Sequence, residues 1–212
     1  MKKGDYTEAE TEKFLKKYLP VAKNKFCTTS DDVIKVSRKI GFPLVLKLIS
    51  KEALHKSDIG GVRFVNKHGD LENELESLKK IAQHYKLKLE GILVQEYIEG
   101  EYAIIGLKKD NVFGHVVAFG IGGIYTEYLK DVVFRVCPIT KKDAQEMIDE
   151  LKMKQIFLGA RGKKPVNLEF LKEIIVKVSK IPQKHKEIQE MDINPFVINH
   201  KTGMVVDARM RI

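Results

Sequence analysis

The apolar residues of this chain recur at two spacings, which predicts a mixture of helices and strands. The spacing of a helix face is clearest in Leu71, Leu75, Leu78, Ala82 and Tyr85. This spacing and the capping residues around it predict helices over residues 7–19, 31–40, 71–85, 141–157 and 167–180. Shorter apolar runs between turn residues predict strands over residues 43–49, 62–66, 91–98, 102–108, 115–121, 132–139, 187–199 and 203–212. Because these elements alternate irregularly and several strands form hairpin-like pairs, the predicted fold class is α+β.

A short break at Glu99 and Gly100 divides the predicted elements into two lobes. The sequence contains no internal repeat and no linker rich in Gly, Ser or Pro that would separate independent domains. The expected organisation is an N-terminal helix over 1–20 that packs on the second lobe, a smaller lobe over 21–99 and a larger lobe over 100–212. A nucleotide would be expected to bind between two lobes at such a break.

Composition and charge narrow the class of protein. Of the 212 residues, 43% are hydrophobic and 32% are charged, and no apolar run is long enough to span a membrane. The two cysteines, Cys27 and Cys137, lack metal-ligand spacing, so we expect a reduced, cytoplasmic protein without membrane association. The net charge of +9 is spread among 29 acidic residues, which favours a solvated surface over a nucleic-acid groove. The positive electrostatic potential of such a surface would attract anionic substrates such as nucleotides.

A lysine interrupts one of the apolar strands. Lys47 lies in the run 43–49, and because an ammonium group is costly to bury alone, we expect it to bind an anion. The loop that follows contains Ser57, Gly60 and Gly61, whose backbone N–H groups can approach a phosphate closely. The alternative is an edge-strand lysine whose ammonium group extends to solvent.

His55 lies in the same loop. A neutral imidazole nitrogen is a competent nucleophile, so this side chain can accept a phosphoryl group and pass it on. Together with Lys47 and the glycines, it predicts phosphoryl transfer to or from a nucleotide. The alternative is a solvated loop histidine, which is our interpretation of the other five histidines.

Two further segments carry candidate chemistry. The apolar strand that ends in 95–101 can present its backbone to an adenine edge, and a carboxylate there can hold ribose hydroxyls; the alternative is an ordinary hairpin with exposed acids. Near the end of the chain, Asp192 and Asn194 are two residues apart on a predicted strand, and Asp207 lies on the strand expected to pair with it. These oxygen ligands suit Mg²⁺ that bridges nucleotide phosphates, whereas the alternative is a turn-forming Asn-Pro sequence with a capping acid.

Several segments, taken together, resemble the ATP-grasp subunit of ADP-forming acetyl-CoA synthetases. The segments are GFPLVLK (41–47), LHKSDIGGV (54–62), FGIGGIYTE (119–127) with 130–131 and 134–135, EMDINP (190–195) and VDAR (206–209). They occur in collinear order over nearly the whole chain. A free-standing chain of this size is similar to the β subunit of the archaeal enzyme, and the succinyl-CoA synthetase β subunit is a more distant relative.

The resemblance implies a two-lobed ATP-grasp fold and a reversible reaction in which acyl-CoA, phosphate and ADP give a free acid, CoA and ATP. It also implies a CoA-binding α subunit as partner in an α2β2 assembly, ADP or ATP as substrate, and Mg²⁺ as cofactor. In this scheme the α subunit forms an acyl phosphate and then a phosphohistidine, and His55 resembles a second phosphohistidine, on a mobile loop, that relays the group to ADP.

The resemblance assigns the remaining roles by position. Lys47, together with Ser57, Gly60 and Gly61, matches the phosphate-binding positions. The adenine hinge is matched by Gln95, Glu96 and Ile98, and the ribose-binding acid by Glu101. The Mg²⁺ positions are matched by Asp192, Asn194 and Asp207, and Arg135 is expected to touch the phosphates.

Two other functions remain open from the sequence. One is an ATP-grasp carboxylate ligase with another acceptor, in which His55 would be dispensable. The other is a non-catalytic, nucleotide-sensing ATP-grasp module.

Overall fold

The computed structural model describes residues 3–50, 52, 56–123 and 131–212. Its strands are β1 (Asp5–Tyr6), β2 (Asn24–Cys27), β3 (Leu44–Ile49), β4 (Val62–Val65), β5 (Gly91–Glu96), β6 (Glu101–Asp110), β7 (Gly114–Ile121), β8 (Val132–Val136), β9 (Glu190–Ile198), β10 (Gly203–Val205) and β11 (Ala208–Arg211). Its α-helices are α1 (Glu8–Leu15), α2 (Ser30–Ile40), α3 (Leu71–His84), α4 (Lys141–Glu150), α5 (Gln155–Leu158) and α6 (Leu168–Lys180). None of the helices in the described part of the chain combines the length and the apolar character needed to cross a bilayer.

The chain forms two compact units. One contains the chain up to Val21 together with Ile98–Ile212, and the other contains Ala22–Tyr97. The lobe boundaries expected from the sequence, 1–20, 21–99 and 100–212, remain a prediction.

The larger unit is built on an antiparallel sheet with the strand order β1-β11-β9-β6-β7-β8, and β10 also pairs with β9. One face of the sheet belongs to a core that includes Phe119, Phe157 and Phe196, with residues of α4 and α6. Leu15 and Leu19 are buried in the same core, which anchors the N-terminal helix within this unit. The other face of the sheet, which we call the open face, carries the polar residues described below.

The smaller unit is an antiparallel four-stranded sheet with the order β2-β5-β3-β4. Alternation along β3 sends Leu44, Leu46 and Leu48 into a core formed with α2 and α3. The residues between them therefore lie on the opposite face of the sheet. That face includes Lys47, which is only 5% exposed.

A local sequence signal explains where one helix begins, and one predicted helix is divided. Helix α6 begins at the predicted cap, because the Asn167 side chain accepts a hydrogen bond from the Phe170 N–H at 3.0 Å. The helix predicted over 141–157 ends at Glu150, because Leu151 is extended. The next N–H groups, of Lys152 and Met153, donate to the buried carboxylate of Asp131 at 3.1 and 2.8 Å.

Candidate functional site

The acidic residues near the end of the chain meet where one strand is interrupted. Strand β9 pairs with β10 up to Phe196↔Val205 and with β11 from Ile193↔Ala208. In the gap, the Asn194 N–H donates to the Asp207 carbonyl oxygen at 3.0 Å. The strand predicted over 203–212 is thus two strands, and Asp207 lies between them rather than within one. This break places Asp207 beside Asn194.

The acidic residues of β9 face away from the core. Asp192 and Asn194 alternate with Met191 and Ile193, which are buried in the core of the larger unit. Asp192 pairs with Gly106 of β6, and its Oδ1 atom is 3.9 Å from the place where a Cβ of that glycine would lie. The Asp192 carboxylate therefore lies on the open face, within ordinary contact distance of the Gly106 position.

The charges of this site act on one another. Burial and the negative charge of Asp207 raise the pKa of Asp192 to about 6, against the opposing effect of Arg209. Two carboxylates near enough to shift a pKa favour a bound cation, and with an amide oxygen they form the all-oxygen donor set that Mg²⁺ prefers. The residues present therefore fit a magnesium ion. In the described part of the chain, no group of three or more His, Cys, Asp or Glu residues is placed to hold a metal ion.

The amide of Asn194 is oriented by the glycine-rich segment after β7. The Gly123 N–H donates to Asn194 Oδ1 at 2.8 Å. Gly123 has a φ of +81°, and a Cβ at this position would lie 2.7 Å from the Tyr102 ring. Glycine is therefore required for this contact, both by its backbone conformation and by the space available.

Lys47 precedes a tight turn in the smaller unit. The Leu48 N–H donates to the Gly61 carbonyl oxygen at 2.9 Å, and the Gly60 N–H donates to the Ser57 carbonyl oxygen at 3.1 Å. A Cβ on Gly61 would lie 2.8 Å from the Lys56 carbonyl oxygen, so glycine alone fits there without a shift of the backbone. Ser57 is exposed on this turn. His55 lies outside the described residues.

The segment predicted as adenine hinge and ribose site spans the division of the chain into units, since Gln95 and Glu96 belong to the smaller unit and Ile98 and Glu101 to the larger. Gln95 is 1% exposed and lies on the same face of its sheet as Lys47. Ile98 is half-buried.

The two acids of that segment are bound to basic partners. Glu96 accepts a hydrogen bond from the backbone N–H of Lys23 at 2.6 Å, and the Lys23 ammonium group lies 3.8 Å from its other oxygen. Glu101 forms an ion pair with Lys163 at 2.7 Å. The Lys163 side chain in this ion pair is exposed.

The structure does not bring Arg135 to the acidic residues. Arg135 pairs with Val117, a core residue, and its guanidinium binds Glu150 of α4, which holds the pKa of Arg135 above its ordinary value. It therefore lies on the helix-covered face of the sheet, opposite to Asp192. Two arginines of β11, Arg209 and Arg211, lie on the open face, and Arg209 is directly across from Asp192. Its position two residues after Asp207 could have indicated that Arg209 shares a face with Asp207. The interruption of the strand at Asp207 makes that spacing less informative.

Comparison with known protein families identifies the family of this chain. The family model of the ATP-grasp domain matches residues 2–212, which is nearly the whole chain. The chain belongs to the ATP-grasp family. The resemblance and the two-lobed α+β fold class predicted from the sequence are thereby confirmed.

Proteins similar to this ATP-grasp chain include β subunits of ADP-forming acetate–CoA ligases. It is 43% identical to subunit beta of acetate–CoA ligase (ADP-forming) I of Pyrococcus furiosus, over 96% of this chain and 90% of that protein. It superposes with a TM-score of 0.94 on acetyl-coenzyme A synthetase 1 of Ca. Korarchaeum cryptofilum in complex with coenzyme A and Ca-AMPCP, at 36% identity over 99% of this chain and 93% of the other.

A second structure of the Korarchaeum enzyme holds coenzyme A and Mg-AMPPCP, with its phosphohistidine segment pointing towards the nucleotide-binding site. This ATP-grasp chain matches it with a TM-score of 0.85 and 36% identity, over 98% of this chain and 92% of that one.

Proposed function

We propose that this chain is the nucleotide-binding subunit of an ADP-forming acyl-CoA synthetase, with acetyl-CoA as the acyl-CoA substrate. It transfers a phosphoryl group between a phosphohistidine and ADP or ATP. Acyl-CoA, ADP and phosphate are thereby converted to a free acid, CoA and ATP, and the reaction is reversible. The observation that carries this proposal is the cluster of Asp192, Asn194 and Asp207 on the open face, in a chain homologous to such β subunits over nearly its full length.

The cluster is suited to the charge of a nucleotide. Asp192, Asn194 and Asp207 would hold Mg²⁺, which neutralises phosphate oxygens when bound. The Gly123 N–H fixes the orientation of the Asn194 amide at 2.8 Å before any ligand arrives. The second lone pair of that carbonyl oxygen stays available to a cation. The chain thus supplies a preorganised set of oxygens rather than a covalent catalyst at this position.

Residues of the smaller unit would bind the phosphates of the nucleotide. Lys47 would neutralise phosphate charge, and the turn with Ser57, Gly60 and Gly61 would approach the phosphates with its backbone. Lys47 and Gln95 lie on the same face of the smaller unit's sheet, which supports a shared ligand.

The adenine edge would be bound by the backbone of Gln95, Glu96 and Ile98, and the ribose by Glu101. Arg135 is left without a role in this scheme, because it is bound to Glu150 on the other face.

His55 would relay the phosphoryl group. A nitrogen of its imidazole attacks the γ-phosphorus of ATP, so that an N–P bond forms while the bond from phosphorus to the bridging oxygen breaks and ADP leaves. In the direction of ATP synthesis, ADP attacks the phosphohistidine. We propose that the group is exchanged with a CoA-binding α subunit in an α2β2 assembly. We also propose a cytoplasmic location, which the free thiols of Cys27 and Cys137 favour.

Reconstitution of the whole reaction tests this function. The chain is mixed with the CoA-binding subunit of the same organism, and ATP formation from acetyl-CoA, ADP and phosphate is measured with Mg²⁺. The proposal predicts ATP formation that depends on acetyl-CoA. It predicts loss of this activity in Asp207→Asn and its retention in Arg135→Lys. Absence of ATP formation by the wild-type pair would contradict the proposed function.

A further inference from the structure

The open face of the larger unit carries an arginine that the mechanism above does not use. Arg209 lies on β11 between Ala208 and Met210, which are both buried in the core. Its side chain is therefore on the open face, in the register position opposite Asp192. Side chains directly opposite on antiparallel strands lie within contact range, so the guanidinium is beside the proposed cation ligands.

A neighbouring arginine provides an internal comparison. Arg211 lies on the same face of the same strand, opposite Glu190, and the two side chains form an ion pair at 3.0 Å. Arg209 also faces a carboxylate, that of Asp192, yet no hydrogen bond or ion pair of its guanidinium is present among residues 3–50, 52, 56–123 and 131–212. The donors of Arg209 are thus not committed to a residue in these ranges, whereas Arg211 is held by Glu190.

We propose that Arg209 binds the phosphoryl group that is transferred, so that it distinguishes ATP from ADP. This inference rests on the proposed function, in which Asp192 and Asp207 are committed to a cation. The guanidinium beside them is then the group left to bind anionic oxygens. Its planar array of N–H donors matches two oxygens of a terminal phosphoryl group.

The chemistry of the transfer favours a cationic group at this position. In phosphoryl transfer, negative charge is spread over the three equatorial oxygens of the moving group, and positioned positive charge stabilises it. Arg209 would contact these oxygens in ATP. The α- and β-phosphates would instead be bound by the proposed Mg²⁺ ligands. Because only ATP has this terminal phosphoryl group, loss of the Arg209 contact is expected to weaken ATP binding more than ADP binding.

Binding of two nucleotides by matched variants tests this role. Affinities for ADP and for a non-hydrolysable ATP analogue are measured calorimetrically with Mg²⁺ for the wild-type chain, Arg209→Met and Arg211→Met. The proposal predicts that Arg209→Met weakens binding of the ATP analogue by roughly ten- to a hundredfold and changes ADP binding by less than about threefold. Arg211→Met is expected to change neither affinity, and Arg209→Lys to recover part of the loss.

Each result separates the inference from the function on which it rests. Equal weakening of both nucleotides by Arg209→Met would overturn the inference, because it would place the guanidinium at a shared phosphate. Unchanged binding of both would overturn it as well. A wild-type chain that binds neither nucleotide would instead contradict the proposed function. Circular dichroism and thermal melting of each variant verify that the fold is retained.

Discussion

The Oδ1 atom of Asn194 accepts a hydrogen bond from the backbone N–H of Gly123 at 2.8 Å. This contact joins the glycine-rich segment that follows β7 to the acidic cluster on β9. A carbonyl oxygen has two lone pairs, so the bond orients the amide and leaves one lone pair for a cation. A glycine that is remote in sequence from the metal ligands is therefore part of their geometry.

Gly123→Ala is expected to weaken Mg²⁺-dependent nucleotide binding. The φ of +81° is unfavourable for alanine, and the new Cβ would lie 2.7 Å from the Tyr102 ring, so the N–H would move away from Asn194. We expect a loss of roughly tenfold in nucleotide affinity with Mg²⁺, measured by calorimetry.

Gly114→Ala is the matched control for this change. Gly114 also has a positive φ, of +76°, but a Cβ there meets no atom within 4 Å. Both variants should lose stability, by about 1 kcal/mol from the backbone conformation. Only Gly123→Ala should lose affinity; an equal loss in both variants would argue against the orienting role of Gly123.

Asp192→Asn is expected to stabilise the metal-free protein at neutral pH. The pKa of Asp192 is raised from 3.8 to about 6, so the folded state favours the protonated acid. The corresponding stability is present below the ordinary pKa and is lost as the pH rises to about 6. The asparagine side chain of the variant cannot ionise, so the variant does not lose this stability. We expect its free energy of unfolding at pH 8 to exceed that of the wild type by roughly 1 to 3 kcal/mol.

The pH profile of this difference is diagnostic. Urea denaturation with EDTA should give a difference between Asp192→Asn and the wild type that shrinks towards zero near pH 4. A difference that is independent of pH would show that the charge of Asp192 is not the cause. Mg²⁺ should reverse the order, because it stabilises the wild type alone.

Asp207→Asn is expected to lower the pKa of Asp192. The negative charge of Asp207 raises that pKa, and burial raises it more. The pKa should therefore fall below about 6 but stay above 3.8, as measured by the carboxyl ¹³C shift of Asp192 without metal. Glu190→Gln is the control, because the charge of Glu190 contributes less, and its effect should be smaller. An unchanged pKa in Asp207→Asn would mean that the two carboxylates are too far apart to share a cation.

The fold was largely predictable because its cores follow simple periodicities. The alternation along β3 reaches a core as predicted, and so does the apolar stripe of α3 from Leu71 to Ala82. Tyr85, predicted to continue that stripe, follows the last residue of the helix and is 50% exposed. The interruption after Glu150 was not predictable from periodicity, because it depends on the carboxylate of Asp131, which binds the N–H groups of Lys152 and Met153.

The acidic residues of the site were predictable, whereas the arginine beside them was not. Asp192 and Asn194 are two residues apart, so their common face follows from the strand alone. The choice between Arg135 and Arg209 requires the face of each strand in the folded sheet. Arg135 is two residues after Val133, which packs against the core, so the two side chains lie on the same face of β8. Only the pairing of Arg135 with Val117 shows that this face is the one covered by helices.

Phosphate labelling shows whether His55 carries a phosphoryl group to and from the nucleotide. The chain is incubated with γ-labelled ATP and Mg²⁺, with the CoA-binding subunit present, and the label on protein is measured after acid and after base. We expect a label that is stable in base, labile in acid, absent from His55→Ala and retained in His68→Ala, whose histidine lies in the same unit. Equal labelling of His55→Ala and the wild type, or no label on the wild-type chain, would rule out His55 as the phosphoryl carrier.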